Sequence, residues 1–240
     1  YPCNKETMNY LKRFKIKKIK KIGNLKFTQR DNKNMKEKNF SSSFLSTVKK
    51  RLILVAASPH PYEEITISKT HLMLKKKFKN LLTIIIPRHI NRVNEIARDL
   101  KSLNLKTVIR TSKQKIKLDT DIYLVDTYGE TKKFFNISKT TFIGGSLTNH
   151  GGQNPIEPAR FGLNIIHGPY VRNFKDIFKF FANRKISHKI RNQNQLFEVA
   201  QKLLTKNNKI RLNLKKIGDS ILKESVIEVK SILRHEIKKT

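Results

Sequence analysis

Two short runs, "LILVAA" at 52–57 and "LLTIII" at 81–86, are almost wholly apolar. Runs of this length, bounded by polar residues, suit strands buried on both faces, as found in parallel sheets that helices cover on each side. The segment between them, "PYEEITISKTHLMLKKKF" (61–78), instead spaces Ile65, Leu72 and Phe78 at roughly helical intervals. The alternation continues through helix 91–103, strand "KTVIR" (106–110), strand "DIYLVD" (121–126), short helix "GETKKFFNIS" (129–138) and strand "TTFIGG" (140–145). Helix "NPIEPARFG" (154–162), strand "NIIHG" (164–168) and two helical segments at 193–207 and 217–237 complete it. Strands joined through helices require right-handed crossovers and a mainly parallel sheet. The expected fold class is therefore α/β, a Rossmann-like parallel sheet with helices on both faces.

Ligands of such sheets bind beyond the carboxyl ends of the strands. The polar and glycine-rich clusters fall there: "SPHPYEE" after the first strand, "PRH" after the second, "DTYGE" after the fourth and "GGSLTNHGGQ" after the fifth. The opposite edge, represented by "KFKN" (77–80), shows no comparable clustering. Four of the nine glycines, Gly144, Gly145, Gly151 and Gly152, lie within this last cluster and its neighbourhood. Without a Cβ, they let backbone approach a ligand closely and, with Ser146, offer N–H groups to an anion.

Asn154, Pro155 and Glu157 have the spacing of a helix start, with N-cap, first-turn proline and N3 acid. Two readings stay open: a capping box that only starts the helix, or a terminus that receives a ligand. Glu157 repels phosphate and suits a ribose hydroxyl better. Arg88 emerges at the end of a buried strand, and its guanidinium suits bidentate capture of phosphate or carboxylate, although a structural role is equally open. His89 can stack, hydrogen-bond or cap the next helix. Gly129 permits close backbone approach, and Glu130 is either a ligand contact or a first-turn acid. Glu63 and Glu64 sit beside His60 but also read as the acidic first turn of a helix. No residue stands out as a general base.

The chain of 240 residues carries 52 Lys and Arg against 18 Asp and Glu, a formal charge of +34. The lysines are scattered, as in "LKKKFKN" and "SKQKIKL", which fits compositional drift at the surface. An anionic membrane surface is the next candidate partner. Nucleic acid is disfavoured, since no reading motif accompanies the charge. One cysteine, Cys3, excludes an intrachain disulfide and any cysteine-based zinc site. Neither a P-loop nor a zinc-hydrolase motif occurs, so P-loop hydrolysis and common zinc chemistry are unsupported and no cofactor is expected. The apolar runs are far too short to span a bilayer. Residues 1–49 are read as the end of a preceding domain, with a helix end, a basic strand and a polar linker at 28–43, ahead of a domain at 50–240.

Taken together, "VAASPHPYEEI", "IIIPRH", "DTYGE" and "FIGGSLTNHGGQNPIEPARFG" followed by "GP" resemble, in order, the C-terminal half of the 3-deoxy-D-manno-octulosonic acid (Kdo) transferases. "GNLKF" (23–27) resembles the segment joining the two halves of those enzymes, and the resemblance covers nearly the whole chain from about residue 20.

The resemblance implies a GT-B architecture, two Rossmann-like domains facing across a cleft, of which this chain would supply the second. It implies CMP-Kdo as donor and a lipid A precursor, lipid IVA, as acceptor, in inverting transfer that needs no metal. It implies CMP contacts from Pro87, Arg88, His89, Tyr128, Gly129, Glu130, Asn154, Pro155, Ile156 and Glu157. Tyr128 is a departure, since the family usually has Met or a similar residue there. The acceptor domain, its catalytic base and its attachment to the cytoplasmic face of the bacterial inner membrane would belong to an N-terminal half largely missing here. The chain is thus expected to be a fragment that is inactive alone. Another nucleotide sugar in the same fold, or a non-catalytic basic binding module, are the alternative readings.

Overall fold

The computed structural model describes residues 2, 5–16, 19–28, 40–206 and 212–237. In chain order these form α1 (Lys5–Arg13), a 3-10 turn (Leu25–Thr28), α2 (Ser42–Val48), β1 (Leu52–Ala57), α3 (Glu63–Lys77), β2 (Leu81–Ile86), α4 (Val93–Ser102), β3 (Thr107–Ile109) and β4 (Ile122–Leu124). There follow α5 (Thr131–Asn136), β5 (Thr140–Ile143), α6 (Ile156–Arg160), β6 (Asn164–His167), α7 (Lys175–Ala182), β7 (Ser187–Lys189), α8 (Gln193–Leu204) and α9 (Leu214–Ile237).

All the strands join one parallel sheet of seven, in the order β3-β4-β2-β1-β5-β6-β7. From β1 the chain passes to β2, then to the edge strand β3, returns to β4 between β2 and β3, and then crosses to the other side of β1 at β5. The topological switch point therefore lies between β1 and β5, where the loops that follow diverge and leave a crevice. Register aligns the strand ends, because Ala57 pairs with Ile86 of β2 and with Ile143 of β5.

Alternation along the strands assigns the two faces. Leu54, Ala56, Ile85, Ile122, Leu124, Phe142 and Ile166 join one buried cluster with Ile67 and Leu74 of α3, Ile96 and Leu100 of α4, and Leu196 and Leu203 of α8. Each leucine, isoleucine and phenylalanine among them contributes about 1.5–3 kcal/mol relative to exposure. On the opposite face Phe44 of α2 and Phe134 of α5 lie against Tyr123, and Phe178 of α7 lies against His167. Both faces of the sheet are thus covered.

Cα packing divides the chain into a unit of 38–211, which holds the sheet, and a unit of 1–37 with 212–240. This differs from the expected boundary at 49/50. Helix α2 belongs with the sheet because Phe44 and Val48 are buried in that unit. Helix α9 belongs with the first residues, where Gly218 meets the Phe27 carbonyl and Lys20 pairs with Glu228. The basic strand expected before residue 28 is not formed among the described residues, where helix α1 and the 3-10 turn stand instead. Residues 29–39 of the expected linker lie outside the described residues.

Candidate functional site

The loop after β1 is held in an unusual shape. Ser58 and Tyr62 both take positive φ, 54° and 76°, a region that costs non-glycine residues about 1 kcal/mol or more. Hydrogen bonds fix it from two sides: Ser58 N–H donates to the Ile86 carbonyl (2.8 Å), and Arg88 N–H donates to that of Pro59 (3.1 Å). The loops after β1 and β2 are therefore tied together.

Glu63, the first residue of α3, ties the same loop to the one after β5. Its carboxylate is fully buried. One oxygen accepts the N–H groups of His60 (2.8 Å) and Gly145 (2.7 Å); the other accepts those of Ser146 (2.9 Å), Leu147 (2.8 Å) and, at longer range, Thr148 (3.4 Å). The N–H groups that the glycine-rich sequence led us to expect for a ligand anion thus already surround an internal one. Glu63 acts as a clamp. Glu64 is buried beside it and receives Arg92 Nη1 at 2.7 Å; burial pushes its carboxyl up and the Arg92 hydrogen bond opposes that.

The glycines serve backbone packing. A Cβ at Gly144 would sit 2.1 Å from the Ser58 carbonyl oxygen, and one at Gly168 would sit 2.1 Å from that of Ser146. Gly151 and Gly152 take φ of 83° and 74°, folding the loop back so that Gly152 N–H reaches the Gly145 carbonyl at 2.7 Å. Ser146 is buried, with its hydroxyl donating to Ile143 (2.5 Å) and accepting from Gly168 N–H (2.8 Å).

This folding brings His150 onto His60, with ring centroids 4.0 Å apart and planes nearly parallel. His89, from the loop after β2, meets His60 edge-on at 5.6 Å. Arg88 and His89 are exposed, while Pro87 is buried beneath them. Burial, and then the electrostatic effect of His150, His89, Arg88 and Arg92, hold His60 down to about 4.

After β4, Glu130 is held by Arg110 through Nε (3.1 Å) and Nη2 (3.2 Å), by the Thr127 hydroxyl (2.5 Å) and by Lys133 Nζ (2.9 Å). Burial opposes its charge, but these bonds from Arg110, Thr127 and Lys133 prevail and hold its carboxyl down to about 2. Both oxygens are engaged twice, which leaves Tyr128 and Gly129 as the exposed tip of that loop. Helix α6 begins at Ile156 with Pro155, not Asn154, at the N-cap position and no side-chain cap; Asn154 Oδ1 instead accepts the Ile156 N–H at 3.0 Å in the turn that leads into it. At five residues α6 is too short to carry a strong terminal dipole. Glu157, partly exposed, lies 3.8 Å from Lys132 Nζ of α5.

The expected residues thus fall in two groups: Pro87, Arg88 and His89 beside His60 and His150, and Tyr128, Gly129 and Glu130 ahead of α5, whose Lys132 reaches Glu157 of the turn Asn154, Pro155, Ile156 and Glu157. Gln153, 3.5 Å from His60 Nε2, leads directly from the first to the second. Sequence reasoning did not find Arg110, Lys132 or His150, whose partners are distant in sequence and carry no local signal. Among the described residues, no group of three or more His, Cys, Asp or Glu side chains is arranged to hold a metal ion. No described helix is long and apolar enough to cross a membrane.

No family model matches the chain. It is 32% identical over 210 residues to 3-deoxy-D-manno-octulosonic acid transferase of Haemophilus influenzae, covering 87% of this chain and 48% of that protein. Against the transferase of the same name from Rickettsia felis it is 36% identical over 192 residues, covering 80% and 40%. Against that from Aquifex aeolicus it is 28% identical over 210 residues, covering 88% and 55%. The chain therefore spans about half the length of the curated relatives it matches. Among solved structures it superposes on the C-terminal CMP-Kdo binding domain of WaaA from Acinetobacter baumannii with a TM-score of 0.64 and 26% identity, covering 73% of this chain and 90% of that one. By sequence and by fold the chain is a relative of the Kdo transferases, matching the C-terminal Rossmann-like domain of those GT-B glycosyltransferases.

Proposed function

We propose that this chain provides the donor side of a Kdo transferase and holds the CMP portion of CMP-Kdo at the carboxyl edge of its sheet. The observation that carries this reading is the convergence of the loops after β1, β2, β4 and β5 around the switch point, in a domain that superposes on a CMP-Kdo binding domain.

Each group has a chemical part in it. Arg88, exposed at the end of β2, grips the phosphate through paired N–H donors. Pro87 sets the exit of that loop, and His89 flanks it. The exposed Tyr128 ring offers a face on which a pyrimidine stacks, and Gly129 allows backbone to approach it. Glu130 acts through the loop it holds. Asn154, Pro155 and Ile156 make the turn that presents Glu157, whose carboxylate accepts a ribose hydroxyl.

In the complete enzyme, a hydroxyl of the lipid IVA acceptor attacks the anomeric carbon of Kdo while the bond to CMP breaks, inverting that centre. The hydroxyl proton passes to a base within hydrogen-bond reach, contributed by the acceptor-binding half of a longer protein. No metal or other cofactor takes part. The chain alone binds donor weakly and transfers no sugar, and the complete enzyme works peripherally at the cytoplasmic face of the inner membrane, where the basic surface favours anionic lipid.

Calorimetric titration of the chain with CMP, UDP and duplex DNA at low and high salt tests the donor reading. CMP binding that survives salt, falls at least tenfold in Arg88→Ala and weakens in Glu157→Gln is expected. Binding to DNA alone, with a steep salt slope, or equal preference for UDP, overturns it.

A further inference from the structure

We propose that His60, His150, His89 and Arg88 form an acid-binding subsite that takes an anionic group of the donor and takes up protons as it does so. The inference rests on the donor reading above. A CMP-activated ulosonic acid presents two acidic groups, a phosphate and a carboxylate, and the subsite has the chemistry to hold either.

Three features of the cluster support it. First, it is assembled deliberately by the fold: Glu63 fixes the His60 backbone and the 145–147 turn together, and so sets one imidazole over the other. Gly145 is the floor, since a Cβ there would lie 3.2 Å from the His60 ring and 3.3 Å from His150 Cβ. Second, its polarity is one-sided. Facing His60 are His150 from the loop after β5, and Arg88, His89 and Arg92 from the loop after β2. Arg92 is already paired with Glu64 and Glu95, and Glu63 is turned onto backbone N–H groups. Gln153 adds an amide 3.5 Å from His60 Nε2. Third, the group sits at the switch point, at the carboxyl ends of β1, β2 and β5.

Within this cluster His60 is held neutral by burial and by the groups around it until an anion enters. The anion reverses the balance, because its charge favours the protonated imidazole. By linkage, the anion then binds more tightly at lower pH, by roughly fivefold between pH 8 and pH 6 where it lifts the His60 imidazole from about 4 to between 6 and 7.

Calorimetry of the full chain at pH 6 and pH 8, each in two buffers of different ionisation enthalpy, counts the protons. CMP carries only the phosphate, free Kdo only the carboxylate, and cytidine neither. For whichever acid occupies the subsite, net proton uptake and roughly fivefold tighter binding at pH 6 are expected, both diminished in His150→Gln; cytidine shows neither. The second ionisation of CMP, near 6, acts equally on parent and variant and so cancels between them. The exposed ring of His150 makes its substitution safe for folding; His60→Gln provides the stricter second variant. A proton count and pH dependence for CMP and Kdo unchanged by both variants overturn the subsite while leaving the donor reading intact. Binding of none of the three probes overturns the donor reading, and the subsite with it.

Discussion

The Glu63 carboxylate accepts the Gly145 N–H at 2.7 Å across 82 residues of chain. That bond, with its companions to His60, Ser146 and Leu147, makes an internal anion the organising centre of the crevice. The loops after β1 and β5 flank the switch point, and a carboxylate between them replaces the solvent that would otherwise satisfy their N–H groups.

Glu63→Gln should therefore be costly despite its conserved shape. An amide presents one oxygen and one NH2, so at least one set of backbone N–H groups faces a donor and loses its acceptor. We expect a loss of about 2–4 kcal/mol, read from urea unfolding, together with weaker CMP binding. A loss below about 1 kcal/mol would contradict the clamp.

The glycines divide by what surrounds them. At Gly144 an added Cβ meets backbone atoms of Ser58 and Pro59 at 2.1–2.4 Å, while at Gly129 it meets nothing within 4 Å. Gly129 has φ of 81°, so Gly129→Ala bears only conformational strain, about 1 kcal/mol. Thermal unfolding should show Gly129→Ala lowering Tm by about 3 °C. Gly144→Ala should lower it by about 10 °C or prevent folding, because backbone cannot yield as a side chain can.

The sheet was legible because its central strands are continuous apolar runs, and the candidate loops because polar clusters follow each of them. Strand β7, "SHK", was not: its three residues are polar, and only pairing with β6 makes them a strand. Helix α2 was missed, its first residues falling in the polar linker read at 28–43, although Ser41 Oγ accepts the Phe44 N–H as an N-cap should. At the site, sequence showed which residues gather but not what they bind. The same two glutamates that read as an acidic first turn serve as a clamp and as an ion-pair partner of Arg92. Arg110 is 20 residues from Glu130 and lies in a segment with no distinctive pattern.

A buried hydroxyl offers a test of the core. Thr140 in β5 is fully buried, and its Oγ1 has no hydrogen-bond partner among the described residues. Valine has the same branched shape without the desolvated hydroxyl. The backbone bonds of Thr140 to the Ser138 hydroxyl are untouched by the change. Thr140→Val should stabilise the fold by about 1 kcal/mol, measured as a higher urea midpoint at unchanged slope.

Arg110 and Glu130 predict an acid-dependent loss of stability. The Glu130 carboxyl is held down to about 2 by hydrogen bonds from Arg110, Thr127 and Lys133, against the opposing effect of its burial. A carboxylate depressed on folding stabilises fully above its unfolded value, about 4.3, and that contribution is lost as pH falls toward its folded value. Arg110→Met removes the paired donors, so the Glu130 carboxyl should return toward the ordinary range. The variant should be less stable at pH 7 by about 1–3 kcal/mol, and the gap should narrow steadily between pH 5 and pH 2. Unfolding by urea across that range measures it, and a gap independent of pH would show that Arg110 acts by packing alone. Because Glu130 anchors the loop that exposes Tyr128 and Gly129, the same variant should bind CMP more weakly at pH 7, which links the ion pair to the site it supports.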